Sequence, residues 1–174
     1  MTSSAVDLSL YPIRMGDAPR PFIGVVSDTH GYYDDALDDL LAGAARIVHA
    51  GDIGTLDVLS RLRALAPVTA VLGNTDLPYW EDDLPWEAEV EVLGLRLLVC
   101  HIGKSLMGRH DPVAEGFDLV VSGHSHKAAV EWREDTLFLN PGAAGKARFG
   151  LPRTLALVTV GDDGRPAPEI VPLD

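Results

Sequence analysis

Short apolar runs alternate with amphipathic stretches along the first half of the chain, a pattern that predicts strands separated by helices. Apolar runs rich in β-branched residues are typical of strands buried on both faces. Leucines at helical spacing predict the intervening helices, with acidic residues before the first helix and Pro67 after the second. This order favours a parallel sheet with right-handed crossovers. The predicted strands span residues 22–26, 46–50 and 68–72, and the helices carry Leu37, Leu40 and Leu41 and then Leu56, Leu59, Leu62 and Leu65.

The second half contains further apolar runs with few helical stretches between them. Residues 86–92 and 95–100 flank Gly94 and predict a β-hairpin. Because few helices separate the remaining runs, we expect this half to form a mixed or antiparallel sheet. An α/β fold of two packed mixed β-sheets flanked by helices would bury the apolar residues of both halves. The further predicted strands span residues 118–122, 129–133, 136–139, 155–160 and 170–172.

The composition is that of one globular domain with an acidic balance. The 174 residues correspond to about one domain, and an apolar content of 47% is sufficient for a packed core. Lysine and arginine total 14 against 26 aspartate and glutamate residues, so the net charge is −12. That charge argues against a protein that coats nucleic acid or adheres to anionic lipid. We expect a loosely ordered N-terminal arm at residues 1–20 and a single domain at residues 21–174.

Cysteine content and hydropathy indicate where in the cell the protein is expected. Cys100 is the single cysteine, which excludes an internal disulfide. No apolar run approaches the ~18 residues of a membrane-spanning helix, and residues 1–20 lack a signal-peptide pattern. The expected location is therefore cytoplasmic, with no membrane partner. Apolar residues of the arm could dock on a neighbouring copy, which leaves a homo-oligomer open: Val6, Leu8, Leu10, Tyr11 and Ile13.

Polar motifs with metal-binding side chains follow five of the predicted strands. Ligand sites in α/β sheets form outside the carboxyl ends of strands, so we expect these motifs to meet at one edge. Asp-x-His and Gly-Asp are common by chance, whereas only about 0.02 matches to Gly-His-x-His are expected in a chain of this composition. The motifs are significant because they occur together, each after a predicted strand. They are Asp28-Thr29-His30, Gly51-Asp52, Gly73-Asn74, His101 and Gly123-His124-Ser125-His126.

The donor types in this set indicate divalent transition metals. Imidazole, carboxylate and amide groups without thiolate suit Mn, Fe, Co, Ni or Zn better than a closed structural zinc site. Seven ligands exceed one tetrahedral ion and suit two, and a carboxylate such as Asp52 can bridge two ions. Two ions ~3.5–4 Å apart are a known arrangement for phosphoester cleavage. The candidate ligands are Asp28, His30, Asp52, Asn74, His101, His124 and His126.

Together with Asn140-Pro141-Gly142-Ala143, these motifs resemble the calcineurin-like metallophosphoesterase superfamily, and within it the small YfcE-type phosphodiesterase branch. The resemblance covers residues 23–160 and implies an α-β-β-α sandwich. It implies that Asp52 bridges two ions. One ion would be held by Asp28, His30 and His126, and the other by Asn74, His101 and His124.

The resemblance also implies an activity. It implies a two-metal-dependent phosphodiesterase that cleaves an organic phosphodiester or cyclic nucleotide by in-line attack of a hydroxide held between the ions. Asp52, Asn74 and His101 are the expected catalytic residues. Manganese is the first choice of metal, with Ni, Co, Fe or Zn as alternatives. The expected partner is a small phosphoester substrate, without stable nucleic-acid binding. The alternatives are a phosphomonoesterase with the same dinuclear site and a non-catalytic scaffold resembling the small subunit of retromer.

Two departures from the superfamily pattern bear on the reaction. Thr75 stands where many members carry a histidine that protonates the leaving oxygen, so leaving groups of low pKa are favoured. Lys104 stands near the place of a second histidine and could contact a substrate phosphate. We further expect His49 to be a core or supporting residue and Cys100 to be a buried, inert thiol. Trp80 and Trp86 either wall a substrate pocket or pack in the core.

Overall fold

The computed structural model describes residues 14–15, 18–76 and 84–174, and within them two five-stranded β-sheets. The helices are α1 (Ala36–Leu40), α2 (Leu56–Leu65) and a 3-10 helix (Gly103–Gly108). The strands are β1 (Arg14–Met15), β2 (Ala18–Pro19), β3 (Phe22–Val26), β4 (Arg46–His49), β5 (Val68–Ala70), β6 (Glu87–Val92), β7 (Leu95–Cys100), β8 (Leu119–Val121), β9 (Ala129–Arg133), β10 (Thr136–Asn140), β11 (Thr154–Val160) and β12 (Pro166–Pro172).

The first sheet has the order β12-β11-β3-β4-β5. Strands β3, β4 and β5 are parallel, as the strand–helix order predicts, and β11 joins β3 in antiparallel orientation. Strand β12 begins at Pro166, earlier than the predicted start at residue 170. Its prolines at 166, 168 and 172 weaken the strand signal in the sequence, yet an edge strand tolerates them because one side needs no N–H donors.

The second sheet has the order β6-β7-β8-β10-β9 and is mixed, as expected. Strands β6 and β7 form the predicted hairpin, and Leu93 and Gly94 at its tip both have positive φ, 54° and 78°. Two central residues of positive φ are the signature of a type I′ turn, which matches the twist of the paired strands. Strands β7, β8 and β10 run parallel, so their carboxyl ends lie at the same edge.

Side chains alternate between the faces of each strand and build three apolar layers. Ile23 and Val25 of β3 and Leu97 and Val99 of β7 lie in the layer between the sheets. Phe22 and Val26 face the other way and pack with the leucines of α1 and α2. The outer face of the second sheet packs against the 3-10 helix through residues such as Leu98, Val120 and Leu106. The predicted fold of two packed mixed sheets flanked by helices is confirmed.

The predicted N-terminal arm lies largely outside the described residues, as do Trp80 and residues 81–83. In its described part, β1 and β2 pair in antiparallel orientation, and the guanidinium of Arg20 donates to Val160 O and to Asp162. The boundary between arm and domain at residues 20 and 21 stays a prediction. Among the described residues, no helix is both long and apolar enough to cross a membrane.

Candidate metal centre

The loops that follow β3, β4, β5, β7 and β8 meet at one edge of the sandwich and bring all seven candidate side chains together. Backbone hydrogen bonds tie neighbouring loops: Asp28 N–H donates to Gly51 O at 3.0 Å, His30 N–H to Asp52 O at 2.9 Å and Gly123 N–H to His101 O at 2.9 Å. Parallel strands place their carboxyl ends side by side, which is why motifs distant in sequence converge. The predicted meeting of the motifs is therefore present in the structure.

Asp28, His30 and His126 form one cluster of converging donor atoms. His126 Nε2 lies 3.3 Å from Asp28 Oδ1 and 3.3 Å from His30 Nε2, and His30 Nε2 lies 3.9 Å from Asp28 Oδ1. These three residues are the ones that the superfamily resemblance assigns to a single ion.

Asn74, His101 and His124 form the second set. Asn74 Oδ1 lies 3.0 Å from His101 Nε2 and 3.0 Å from His124 Nδ1. His101 Nε2 also lies 3.4 Å from Asp52 Oδ2 and 4.0 Å from Asp28 Oδ1. His101 thus faces both aspartates as well as Asn74, so the two sets adjoin each other.

Asp52 lies between the two sets. Its Oδ2 is 3.7 Å from His30 Nε2 and 3.4 Å from His101 Nε2. Its Oδ1 accepts a hydrogen bond from the Thr75 backbone N–H at 2.9 Å, which holds the carboxylate in this orientation. A single carboxylate oxygen thus faces one histidine of each set, which is the position that a bridging ligand needs.

One oxygen of Asp28 is buried without a hydrogen-bond partner. Oδ2 accepts from the Ser27 hydroxyl at 2.7 Å and from the His124 backbone N–H at 3.0 Å, whereas Oδ1 has no partner. An unpaired buried carboxylate oxygen is costly, since burial removes its water. A cation among Asp28, His30 and His126 would satisfy this oxygen, so these residues fit a metal ion.

The backbone is strained at the candidate ligands. Of the eight non-glycine residues with positive φ in the described ranges, five are candidate ligands. Such conformations cost about 1–3 kcal/mol each and persist where the surrounding structure over-determines them, often at functional sites. The five residues, with φ between 46° and 71°, are Asp28, His30, Asp52, His124 and His126.

His49 lies fully buried beneath the centre and joins two of its loops. Its Nδ1 accepts from the Gly51 N–H at 3.2 Å, so its Nε2 carries the proton and donates to Thr29 Oγ1 at 2.9 Å. The Thr29 hydroxyl in turn donates to Ile53 O at 2.9 Å. Burial lowers the pKa of His49 to about 3, so the ring is neutral at physiological pH. Both ring nitrogens of His49 are thus engaged by Thr29 and Gly51, so this residue supports the loops.

Asp76 has a role that the sequence reasoning missed. Its fully buried carboxylate accepts from the backbone N–H groups of Gly73 at 2.9 Å, Gly54 at 3.0 Å and Ile53 at 3.1 Å. These bonds tie the loop that carries Asn74 to the loop that carries Asp52. An aspartate three residues after a glycine at a strand end is the available signal, because Asp commonly accepts from nearby backbone N–H groups in turns.

The titratable groups of the centre respond to burial and to one another. Burial raises the pKa of Asp52, but hydrogen bonds with His101 and Thr75 outweigh it and hold the pKa well below its usual range. Burial lowers the pKa of His30 below its ordinary value of 6.5. For His101, hydrogen bonding to Asp52 and the charge of Asp28 overcome burial and raise the pKa. An ionised Asp52 and a neutral His30 are the forms that bind metals.

The neighbouring Cys100 is fully buried at the end of β7, and burial raises the pKa of its thiol to about 12. A protonated buried thiol is neither a ligand nor a nucleophile at neutral pH. The expected inert thiol agrees with this environment.

The fold and the gathered donor groups are those of the metal-dependent phosphoesterases as a class. Residues 22–163 match the sequence model of the calcineurin-like phosphoesterase superfamily domain. The chain belongs to that superfamily, which confirms the resemblance seen in its motifs.

Individual relatives agree with this assignment. The chain is 32% identical over 150 residues to a probable metallophosphoesterase of Methanothermobacter thermautotrophicus, covering 80% of this chain and 87% of the relative. It is 28% identical over 152 residues to a phosphodiesterase of Methanocaldococcus jannaschii, covering 75% and 88%. Among solved structures, Vps29 from Entamoeba histolytica complexed with zinc is similar in fold, with a TM-score of 0.66 at 21% identity, covering 88% of this chain and 99% of that chain.

Proposed function

We propose that the protein is a two-metal-dependent phosphodiesterase that hydrolyses an organic phosphodiester or cyclic nucleotide. The observation that carries the proposal is the buried, unpaired Asp28 Oδ1, which lies in two clusters of converging donor atoms with His30 and His126 and with Asp52 and His101. The unpaired oxygen and the five strained residues cost stability, and bound metal ions would offset that cost.

The proposed ligand assignment follows the two sets. Asp28, His30 and His126 would hold one ion, Asn74, His101 and His124 would hold the other, and Asp52 would contact both. When bound, two such ions supply an activated water nucleophile and offset the negative charge of the phosphoryl oxygens. Manganese is the first metal to test, followed by Ni, Co, Fe and Zn, because this donor set suits all of them.

The chain itself keeps three groups ready for this chemistry. The low pKa of Asp52 keeps its carboxylate ionised, and His101 donates its Nδ1–H to Ala50 O at 2.7 Å, which orients Nε2 toward Asn74 and Asp52. Asn74 directs its amide oxygen toward His101 and His124. These contacts support Asp52, Asn74 and His101 as the catalytic residues.

Thr75 bears on substrate preference. Its backbone N–H positions Asp52, and its hydroxyl is a poor acid at neutral pH. The side chain at this position therefore cannot protonate a leaving oxygen, which favours leaving groups of low pKa. The phosphodiesterase name of the Methanocaldococcus jannaschii relative supports diesters over monoesters. The net charge of −12 favours small substrates over nucleic-acid polymers.

The direct test is hydrolysis of bis-p-nitrophenyl phosphate and p-nitrophenyl phosphate after chelation and readdition of Mn, Ni, Co, Fe or Zn. We expect metal-dependent turnover that is faster for the diester and falls at least 100-fold in Asp52→Asn. Asp39→Asn, which changes an exposed carboxylate on α1, is the matched control and should retain full activity. Faster monoester turnover would favour a phosphomonoesterase, and neither turnover nor metal binding would favour a non-catalytic scaffold.

A further inference from the structure

A cavity of about 530 Å³ opens directly beside the candidate metal centre. Asn74 and His101 line both, so a phosphoryl group at the centre would have its organic substituent at the mouth of this cavity. Cavities of this size bind whole organic groups and far exceed the needs of a phosphate alone.

Trp86 forms one wall of the cavity, and the β6–β7 hairpin places it beside the centre. Glu87 pairs with Cys100 at the end of the hairpin register, and Trp86 and His101 each adjoin a residue of this pair. The Leu72 N–H donates to Pro85 O at 2.8 Å and fixes the segment that leads into Trp86. Backbone hydrogen bonds thus bring Trp86 and His101 to the same cavity, which both residues line.

The walls of the cavity are mainly apolar. Leu72 and Ile102 line it together with Trp86, a residue that is 51% exposed. A large exposed indole in a concave apolar surface is typical of ligand sites, because a bound group removes that surface from water. The flat face of an indole favours aromatic partners over aliphatic ones of similar size.

The charged groups at the rim compensate one another. Arg109 contacts the Glu87 carboxylate, and His110 Nε2 lies 3.2 Å from the other Glu87 oxygen. Arg109 is thereby engaged with an anion of the protein, so the cavity is suited to an uncharged organic group rather than to a second phosphate. We call Leu72, Trp86, Ile102 and Arg109 the aromatic subsite.

We propose that the aromatic subsite binds an aromatic substituent of the substrate, such as the base of a nucleotide diester, stacked on Trp86. The inference rests on the proposed function, because it places the phosphoryl group at the metal centre. Trp86 then determines specificity by contact with substrate, and the natural substrates are aryl or nucleoside phosphodiesters rather than small aliphatic ones.

The test compares three non-hydrolysable phosphonates that share a head group and differ in substituent: benzylphosphonate, cyclohexylmethylphosphonate and methylphosphonate. Their dissociation constants are measured by calorimetry on Mn-loaded protein. In the wild type we expect benzylphosphonate to bind at least tenfold tighter than methylphosphonate, and tighter than cyclohexylmethylphosphonate. Stacking on an aromatic side chain is worth roughly tenfold to a hundredfold in affinity.

Trp86→Ala should lose at least tenfold affinity for benzylphosphonate and leave methylphosphonate unchanged, whereas Trp86→Phe should retain most of the preference. Trp132→Ala is the matched control, since Trp132 is 40% exposed on β9 at the far edge of the same sheet. Equal binding of all three phosphonates, or a preference that survives Trp86→Ala, would overturn the aromatic subsite alone. Loss of metal-dependent binding for all three, with no diester turnover, would overturn the proposed function and the subsite with it.

Discussion

At the residue scale, a single atom of Asp28 lowers the stability of the metal-free protein. Its Oδ1 is buried and unpaired, while its Oδ2 has two hydrogen-bond donors. Without a cation, this carboxylate places a partly compensated negative charge in the interior of the protein. The same carboxylate that would bind a metal ion therefore lowers the stability of the protein when no metal is bound.

Asp28→Asn should accordingly stabilise the metal-free protein and abolish stabilisation by metal. The amide oxygen can replace Oδ2 as the acceptor, and the amide nitrogen can donate to His126 Nε2, which lies 3.3 Å from Oδ1. We expect the melting temperature in chelator to rise by a few degrees, for a gain of about 1–2 kcal/mol. Thermal unfolding with EDTA and with Mn²⁺ measures both effects. A lower melting temperature in EDTA, or an undiminished response to Mn²⁺, would contradict this account of Asp28.

The carboxylate of Asp76, unlike that of Asp28, stabilises the protein, because it accepts three backbone hydrogen bonds. Asp76→Asn leaves one oxygen to accept them and places an amide N–H₂ against a backbone donor. The expected loss in the free energy of unfolding is roughly 2–4 kcal/mol, measured by urea denaturation. Asp39→Asn, with an exposed carboxylate, should lie within about 0.5 kcal/mol of the wild type. If Asp76→Asn also unfolds like the wild type, Asp76 does not hold the two loops together.

Among the elements, the end of β10 and the loop after it pack against the loops that carry His124 and Asp28. Asn140 Nδ2 donates to Gly123 O at 2.8 Å, and the Ala144 N–H donates to Ser27 O at 2.9 Å. A Cβ atom at Gly145 would lie 2.5 Å from Thr29 O and 2.6 Å from Asp28 O. The backbone at Gly145 therefore packs directly against the backbone of Asp28 and Thr29.

Gly145→Ala should therefore displace the Asp28 backbone and weaken metal binding. The added methyl group meets backbone atoms that cannot rotate away, and overpacking of this kind costs about 1–3 kcal/mol. We expect at least a tenfold loss in Mn²⁺ affinity by calorimetry. Gly108→Ala is the matched control, because a Cβ there has open space and the glycine has no positive φ. Equal Mn²⁺ affinity in the two variants would show that the contact at Gly145 does not position Asp28.

Asp34 links the start of α1 to the residue before β11. Its carboxylate accepts from Arg153, which also donates through Nε to Gly145 O at 2.7 Å. Burial raises the pKa of Asp34, but the bonds from Arg153 and the Ala36 N–H outweigh it, so the pKa lies below its ordinary value of 3.8. A lowered folded-state pKa stabilises the protein above the unfolded-state pKa, and the contribution is lost as pH falls through the folded-state pKa.

Asp34→Asn should thus reduce stability by roughly 1–2 kcal/mol at pH 7, with the difference from the wild type shrinking below about pH 4. Urea denaturation of both proteins between pH 3.5 and pH 7 measures it. A difference that is constant across that range, or that grows toward acid pH, would contradict the ion pair as its cause.

At the scale of the whole molecule, periodicity in the sequence predicts the two sheets, the hairpin and the convergence of the motifs. Each depends on local pattern: continuous apolar runs in strands such as β3, leucine spacing in α2 and glycine at the hairpin tip. The early start of β12 was missed because its prolines hide the strand signal. The unpaired Asp28 oxygen, the bonds of Asp76 and the Trp86 cavity arise from contacts between distant segments, which no local pattern encodes.

The cytoplasmic location, the homo-oligomer and the division at residues 20 and 21 stay predictions. Contacts within the described residues test none of these three predictions. The ligand roles of the seven residues likewise stay predictions, although the structure brings their donor atoms close together.

The stoichiometry of Mn²⁺ binding is the decisive measurement for a dinuclear metal centre. Chelator-treated wild-type protein is titrated with Mn²⁺ by calorimetry, alongside Asp52→Asn and the exposed control Asp39→Asn. We expect two Mn²⁺ ions per chain at micromolar affinity in the wild type and in the control. We expect Asp52→Asn to weaken the binding of both ions, because Asp52 Oδ2 faces a histidine of each set. One ion per chain, no binding, or binding unaffected by Asp52→Asn would exclude a dinuclear centre bridged by Asp52.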